Sequence, residues 1–302
     1  MADKLSAFLP DSDPVSKTQD VSSGLSASTN YPYKKILKWD ISVMHKSRLD
    51  FSHKGTYGHA LIIAGERATM GAALLASSGC LYAGAGLTTA CIPESGLTAL
   101  NASLPEVMYL SRDKIFEQDT LEKYNSVAIG PGIGIAEEAV ALLSRVLELK
   151  RPIIADADAL NLLASNSLLM QGLVRGSILT PHMKEFDRLF GIHETWYSRL
   201  QTARERAVEL GIVIVLKNQY TFIIDAEGTV YINTTGSPAM AQGGMGDVLT
   251  GIIAAYTAQG YAPKEAAILG CFFHGEAGSE LARTSSNVRA LDVAKHLPKV
   301  PR

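Results

Sequence analysis

From about residue 58 the chain alternates short apolar runs, glycine turns and helical stretches, a pattern that confines it to parallel βαβ units. HALIIAG (59–65) ends in glycine and leads into the alanine-rich helical segment 71–86, and LTTAC (87–91) is β-rich and closes at Pro93. SVAIGPGIG (126–134) runs from a strand into glycines and is followed by the amphipathic helix 137–150, whose basic residue sits at its C-terminal end. PIIADADAL (152–160) and SILTPH (177–182) repeat the theme. IVIVLK (212–217), TFIIDA (221–226) and TVYIN (229–233) have no helices between them, so they are expected as antiparallel neighbours with Glu227 and Gly228 in a tight turn. Two long helices, about 246–258 and 263–282, complete an α/β fold with a mixed, mostly parallel sheet and helices on both faces.

A chain of 302 residues is large enough to bury a substantial core, and we expect a single domain at 39–302 behind a flexible tail at 1–38. Residues 1–30 are rich in serine and carry no arginine and no hydrophobic block, so neither a secretory signal nor an Arg-rich transit peptide is expected. With 28 basic and 30 acidic residues the net charge is −2, which points away from nucleic acid and membrane surfaces and towards a small-molecule partner. Cys80, Cys91 and Cys271 are far apart and embedded in apolar sequence, as buried reduced thiols would be, and a reducing, cytoplasmic compartment follows.

In sheets of this kind ligands bind beyond the carboxyl ends of the strands, so the residues just after each apolar run are the ones that matter. They are Gly65, Gly130 to Gly134, Asp156, His182, Lys217 and the cluster GGMGD at 243–247. No GxGxxG opens the first βαβ unit and GxxxxGK[ST] is absent, which excludes a dinucleotide fingerprint and a P-loop. In the last cluster Gly243, Gly244 and Gly246 are expected to allow close backbone approach and positive φ, and the following helix offers unpaired N–H groups and the positive end of its dipole to an anion. Asp247 beside a bound phosphate requires a metal or a substrate proton to account for it, as in phosphoryl transfer; alternatively it only complements the helix dipole. Asp156 and Asp158, two apart at a strand end, are placed to help hold Mg²⁺, but Asp158 equally reads as the cap of a helix beginning near Ala159, and neither is assigned as a metal ligand. His182 reads either as a ligand contact or as a helix-start histidine bonded to backbone, and Lys217 as a ligand contact or a solvated strand-end lysine.

Taken in order, KGTYGHALIIAG (54–65), GAALLA (71–76), IGPGIG (129–134), DADAL (156–160), ILTPHMKEF (178–186), VLKNQYT (215–221) and GGMGDVLTGI (243–252) resemble the nucleotide-dependent NAD(P)H-hydrate dehydratases of the ribokinase-like superfamily, over roughly residues 40–298. The resemblance implies dehydration of hydrated NADH or NADPH (NADHX, NADPHX) at the expense of ADP or ATP with Mg²⁺, by phosphorylation of the ring hydroxyl and elimination of phosphate. It implies Asp247 as the base in contact with that hydroxyl. It implies Ala72, Ala73, Gly132, Gly134 and His182 as further contacts to the hydrated cofactor. It implies Lys217, Asn218, Gln219, Tyr220 and Thr221, with Gly243, Gly244 and Gly246, around the nucleotide. A homo-oligomer, a tetramer, is implied as well, together with epimerisation of the hydrate by another polypeptide. The absence of a eukaryotic-type targeting segment favours ADP. Three positions depart from the family pattern: Met245 where threonine is usual, and Asn218 and Lys184 where glycine is usual. Two rivals share the motifs: a ribokinase-like kinase of a small alcohol such as a vitamin precursor, and a non-catalytic adenine-nucleotide-binding protein.

Overall fold

A computed structural model of the chain describes residues 33–301. One ten-stranded sheet organises them. Its parallel body comprises β2 (His59–Ile63), β3 (Leu87–Cys91), β4 (Met108–Leu110), β5 (Ser126–Ile129), β6 (Ile154–Ala155), β7 (Ile178–Leu179) and β8 (Val213–Leu216). Antiparallel to β8 lies β9 (Thr221–Ile224), which in turn pairs antiparallel with β10 (Val230–Asn233). Asp225 closes this hairpin, its Oδ1 accepting from the amides of Glu227 and Thr229. The outermost strand is β1 (Tyr33–Lys35), parallel to β10. Strand order β1-β10-β9-β8-β7-β6-β5-β2-β3-β4 reverses direction between β2 and β5, so the crevice at their carboxyl ends is a topological switch point.

Alternation along each strand separates two cores. Ala60 and Ile62 of β2, with Val215 and Ile223, meet one layer built from α2 (Met70–Tyr82), α9 (Met245–Ala258), α10 (Pro263–Leu281) and α11 (Ala290–His296). Leu61 and Ile63, with Ile214 and Phe222, meet the opposite layer of α4 (Glu137–Leu147), α5 (Asp158–Ser165), α6 (Ser167–Gly172), α7 (Met183–Phe190) and α8 (Trp196–Leu210). Two short helices, α1 (Lys38–Met44) and α3 (Leu97–Ser103), flank the sheet. Helices α2 and α9 touch backbone to backbone, because a side-chain carbon at Gly79 would stand 2.2 Å from the Val248 carbonyl and one at Gly251 only 1.8 Å from that of Ala76. This explains the small residues of 71–86, whose helix ends at Tyr82.

The sheet confirms the mostly parallel α/β expectation, the hairpin and the two long C-terminal helices. It departs from expectation in two places. Residues 33–38, read as tail, supply β1 and the first residue of α1; Tyr33 is buried in the second core, an anchoring contact that no periodicity in so short a segment announces. The rest of the expected tail, 1–32, lies outside the described residues. The strands expected within 152–160 and 177–182 shrink to two residues each, because the chain leaves the sheet at Asp156 and Thr180. Cys80, Cys91 and Cys271 are free and buried, and burial pushes each thiol up to about 12. Among the described residues no helix is long and apolar enough to cross a membrane.

Candidate active site

The carboxyl ends of β6, β7 and β8 converge on the first turn of α9. Gly244 is the residue before that helix and holds φ 88°, a conformation that favours glycine, and a side-chain carbon there would also strike Leu75 at 2.4 Å. The turn it makes leaves the opening amides of α9 without intrahelical partners, facing the strand ends. Of the three glycines expected at positive φ only Gly244 has it. Gly246 already lies inside the helix, and Gly243 borders open space. Met245, the departure from threonine, turns its side chain into the core.

Asp247 occupies the first turn of α9 and is partly buried. Burial first, then the Asp156 carboxylate, raise its carboxyl from 3.8 to about 7; Asp158 and Glu185 add to the effect and Lys217 opposes it. A carboxylate in that range is matched to accepting a proton near neutral pH. Lys217 follows β8 and is fixed by its amide, which donates to the Pro181 carbonyl at 2.9 Å. Its Nζ donates to Asp156 Oδ1 at 2.8 Å. Burial works against the ammonium, but Asp156, Glu185 and Asp247 outweigh it and hold its pKa above the ordinary lysine value. Asp156, only 1% exposed, also accepts from Thr250 Oγ1 at 2.6 Å. Lys217 is therefore a paired cation at the mouth of the site, and the reading of it as an ordinary solvated strand-end lysine falls.

His182 is the residue before α7 and forms a bridge with Lys217 across the strand ends. The helix-start reading holds: Nδ1 accepts from the amides of Lys184 and Glu185 at 3.1 and 3.3 Å, and the ring is half exposed. Glu185 returns the cap by accepting from the His182 amide at 2.8 Å. Asp158 is not the cap of α5; it is that helix's first residue, and its Oδ2 accepts from the Gly134 amide at 2.9 Å. Between the two aspartates Ala157 holds φ 50°, an uncommon conformation for a residue with a side chain.

At the switch point, a side-chain carbon on Gly132 would lie 3.0 Å from Ala72 Cβ and 2.9 Å from Thr69 Cβ, so Gly132 packs directly against the start of α2. Ala73 is buried against Gly65. Arg112, after β4, donates to the Gly65 carbonyl and pairs with Glu138 at 2.7 Å, holding the turn after β2. Asn218, Gln219, Tyr220 and Thr221 form the bend from β8 into β9; Asn218 and Lys184 have negative φ, so neither departure from glycine strains the backbone.

Thr250, Glu185, Arg112 and His274 were not singled out from sequence. His274, in α10, hydrogen-bonds the Met245 backbone, and its buried Nε2 has no partner. Burial and then the Lys217 charge push it down to about 4, so the ring is neutral at pH 7. The only sequence signal for it was a histidine interrupting an apolar helix. No group of three or more His, Cys, Asp or Glu able to hold a metal ion occurs among the described residues, and both Asp156 oxygens are engaged by Lys217 and Thr250. The described side chains thus do not form a cage for Mg²⁺.

Comparison with known proteins supplies independent findings. A family model described as NAD(P)H-hydrate dehydratase matches residues 60–299. The chain is similar to the bifunctional NAD(P)H-hydrate repair enzyme of Moorella thermoacetica, 40% identical over 266 residues that cover 83% of this chain and 50% of that enzyme. It therefore spans about half the length of that relative. It is also similar to the ADP-dependent (S)-NAD(P)H-hydrate dehydratase of Neisseria meningitidis, 34% identical over 256 residues, 81% of this chain and 84% of that one. Among solved structures, the ADP/ATP-dependent NAD(P)H-hydrate dehydratase from Bacillus subtilis, co-crystallised with ATP/Mg²⁺, has a TM-score of 0.77 at 31% identity and covers 87% of this chain and 96% of its own. A ribokinase-like superfamily protein from Enterococcus faecalis has a TM-score of 0.81 at 28% identity over 92% and 97% of the two chains. The fold is ribokinase-like.

Proposed function

Since the chain belongs to the NAD(P)H-hydrate dehydratase family, we propose that it restores NADH or NADPH from the ring-hydrated cofactor by removing water at the expense of ADP or ATP. Hydroxide is a poor leaving group and phosphate a good one, so the terminal phosphoryl group of the nucleotide is first passed to the ring hydroxyl. Asp247 accepts the hydroxyl proton as the new O–P bond forms and the nucleotide's terminal P–O bond breaks. The ring C–O bond then breaks, phosphate departs with its electron pair, a proton leaves the adjacent carbon, and the double bond returns. The amides around Gly244 to Gly246 face the transferring group with fixed dipoles, and Lys217 brings positive charge to the same place.

The observation that carries this reading is the placement of Asp247, raised to about 7 by burial and by Asp156, in the first turn of a helix whose amides are free. Ala72, Gly132, Gly134 and His182 are assigned to the hydrated cofactor and the 217–221 bend to the nucleotide, with Ala72 and Gly132 packed together as small residues at the switch point. Mg²⁺ belongs to the nucleotide in this reading, bound through phosphate oxygens and water, and no protein residue is assigned to it. We assign the reaction to the cytoplasm and expect a homo-oligomer, a tetramer. In support of association, Trp39 and Phe51 near the N-terminal edge are 70% and 100% exposed.

The test is incubation of the purified protein with hydrated NADPH and ADP or ATP in turn. Recovery of the near-ultraviolet absorbance of the reduced nicotinamide with one nucleotide, and none without, supports the dehydratase. Nucleotide binding with no recovery contradicts it.

A further inference from the structure

Asp156 is a carboxylate whose two oxygens are committed to two different parts of the fold. Oδ1 takes the Lys217 ammonium at 2.8 Å and Oδ2 takes the Thr250 hydroxyl at 2.6 Å. Lys217 stands at the end of β8, two strands away from β6, and Thr250 lies one turn beyond Gly246 in α9. The Thr250 hydroxyl also stands 3.1 Å from the Gly246 carbonyl, the usual local partner of a helical threonine. It has one hydrogen to donate, and the shorter, charge-assisted contact is the one to Asp156. The backbone beside it is held at φ 50° at Ala157, a conformation that persists only where surrounding contacts impose it. Gly246 completes the arrangement, since a side-chain carbon there would lie 3.2 Å from Lys217 Nζ and 3.7 Å from Asp156 Oδ2.

We propose that Asp156 is the positioning residue of this site, tying Lys217 and Thr250 into a buried three-point lock that sets where the Gly244–Asp247 turn stands relative to the strand ends. It rests on the reading of Asp247 as the base. Asp156 is 1% exposed and its carboxylate acts through Lys217 and Thr250. The lock has an electrical consequence as well as a geometric one. Four charged groups act on Asp247: Asp156 from the end of β6, Asp158 from α5, Glu185 from α7 and Lys217 from the end of β8. Neutral His274 in α10 lies behind Lys217. Replacing Asp156 by asparagine removes a neighbouring negative charge and frees Lys217 to act on Asp247; both changes favour ionised Asp247.

The experiment is the pH profile of kcat/KM for hydrated NADPH at saturating nucleotide, measured on the full chain. Asp156→Asn is expected to move the acid limb down by about one unit or more and to lower the plateau. Thr250→Val keeps every charge, so its limb stays within about half a unit of wild type while kcat falls about tenfold and nucleotide KM changes less than about twofold. Thr250→Ser, which retains the hydroxyl, restores kcat. An unmoved limb in Asp156→Asn, or wild-type kcat in Thr250→Val, overturns the proposal. Should Asp156→Asn fail to fold by circular dichroism, the Val and Ser pair at Thr250 decides the matter. Asp247→Asn in the same assay separates the two levels: if its turnover stays within about tenfold of wild type, the base reading fails and takes the lock with it. If it is dead while the Asp156→Asn limb is unmoved, only the lock fails.

Discussion

Replacing Asp247 by asparagine should stop turnover and, at the same time, stabilise the unliganded protein at neutral pH. Its carboxyl is raised from 3.8 to about 7, by burial first and then by Asp156. A raised carboxyl pKa means that the folded protein holds the proton more tightly than the unfolded chain, so stability falls as pH climbs through the interval between the two values. Below about pH 4 the group is protonated in both states and no penalty exists; above about pH 7 the penalty is complete. At 1.36 kcal/mol per unit the rise corresponds to about 4 kcal/mol, an upper bound because the partly buried turn relaxes and admits water. A net gain of about 2 kcal/mol for the asparagine variant would raise Tm by about 4–8 °C in a domain of this size. Thermal unfolding of wild type and variant at about pH 5, 6.5 and 8 should show the difference growing with pH. Dehydration turnover should fall by about 10²–10⁴. A stability difference that is flat with pH, or a variant less stable than wild type at about pH 8, would refute the reasoning about this carboxylate.

Other substitutions test neighbouring parts of the site. Gly246→Ala places a methyl 3.2 Å from Lys217 Nζ; nucleotide KM should rise about tenfold while Tm holds or increases, because alanine favours the helix by about 1 kcal/mol over glycine. His182→Ala loses the α7 cap, at about 1 kcal/mol, whereas His182→Asn keeps a capping acceptor. Both should raise KM for the hydrated cofactor with nucleotide KM unchanged, and full recovery in the asparagine variant would reduce His182 to a cap. Lys217→Met leaves Asp156 buried without its cation, costing about 3 kcal/mol, the lower end for a broken buried pair because the lysine side chain is 19% exposed. Urea unfolding of wild type and variant should show that cost.

Local chemistry made much of the fold legible. β-branched LTTAC became β3 without a change of boundary, Asp225 to Gly228 closed the expected hairpin, and GGMGD ran into α9 as glycine and acidic residues in a first turn should. What escaped is what depends on tertiary contact. Asp156 and Thr250 are 94 residues apart, and within VLTGII a threonine reads as one more buried helix position. Ala72 and Ala73 are indistinguishable by composition, yet helix rotation turns one towards Gly132 and the other into the core. Gly243 and Gly246 were expected to share the backbone role of Gly244, but a single positive-φ residue suffices to start the helix, and close approach to Lys217 explains Gly246 instead. Tyr33 anchors an edge strand too short to carry a pattern.

The most direct measurement is a single-turnover reaction of the purified protein with hydrated NADPH and nucleotide, following reduced cofactor, inorganic phosphate and nucleotide product together. A base at Asp247 facing the ring hydroxyl, with phosphate as leaving group, requires one NADPH and one phosphate for each nucleotide consumed, and none of the three in Asp247→Asn. Accumulation of a phosphorylated alcohol without NADPH, or NADPH formed with no nucleotide consumed, would contradict it.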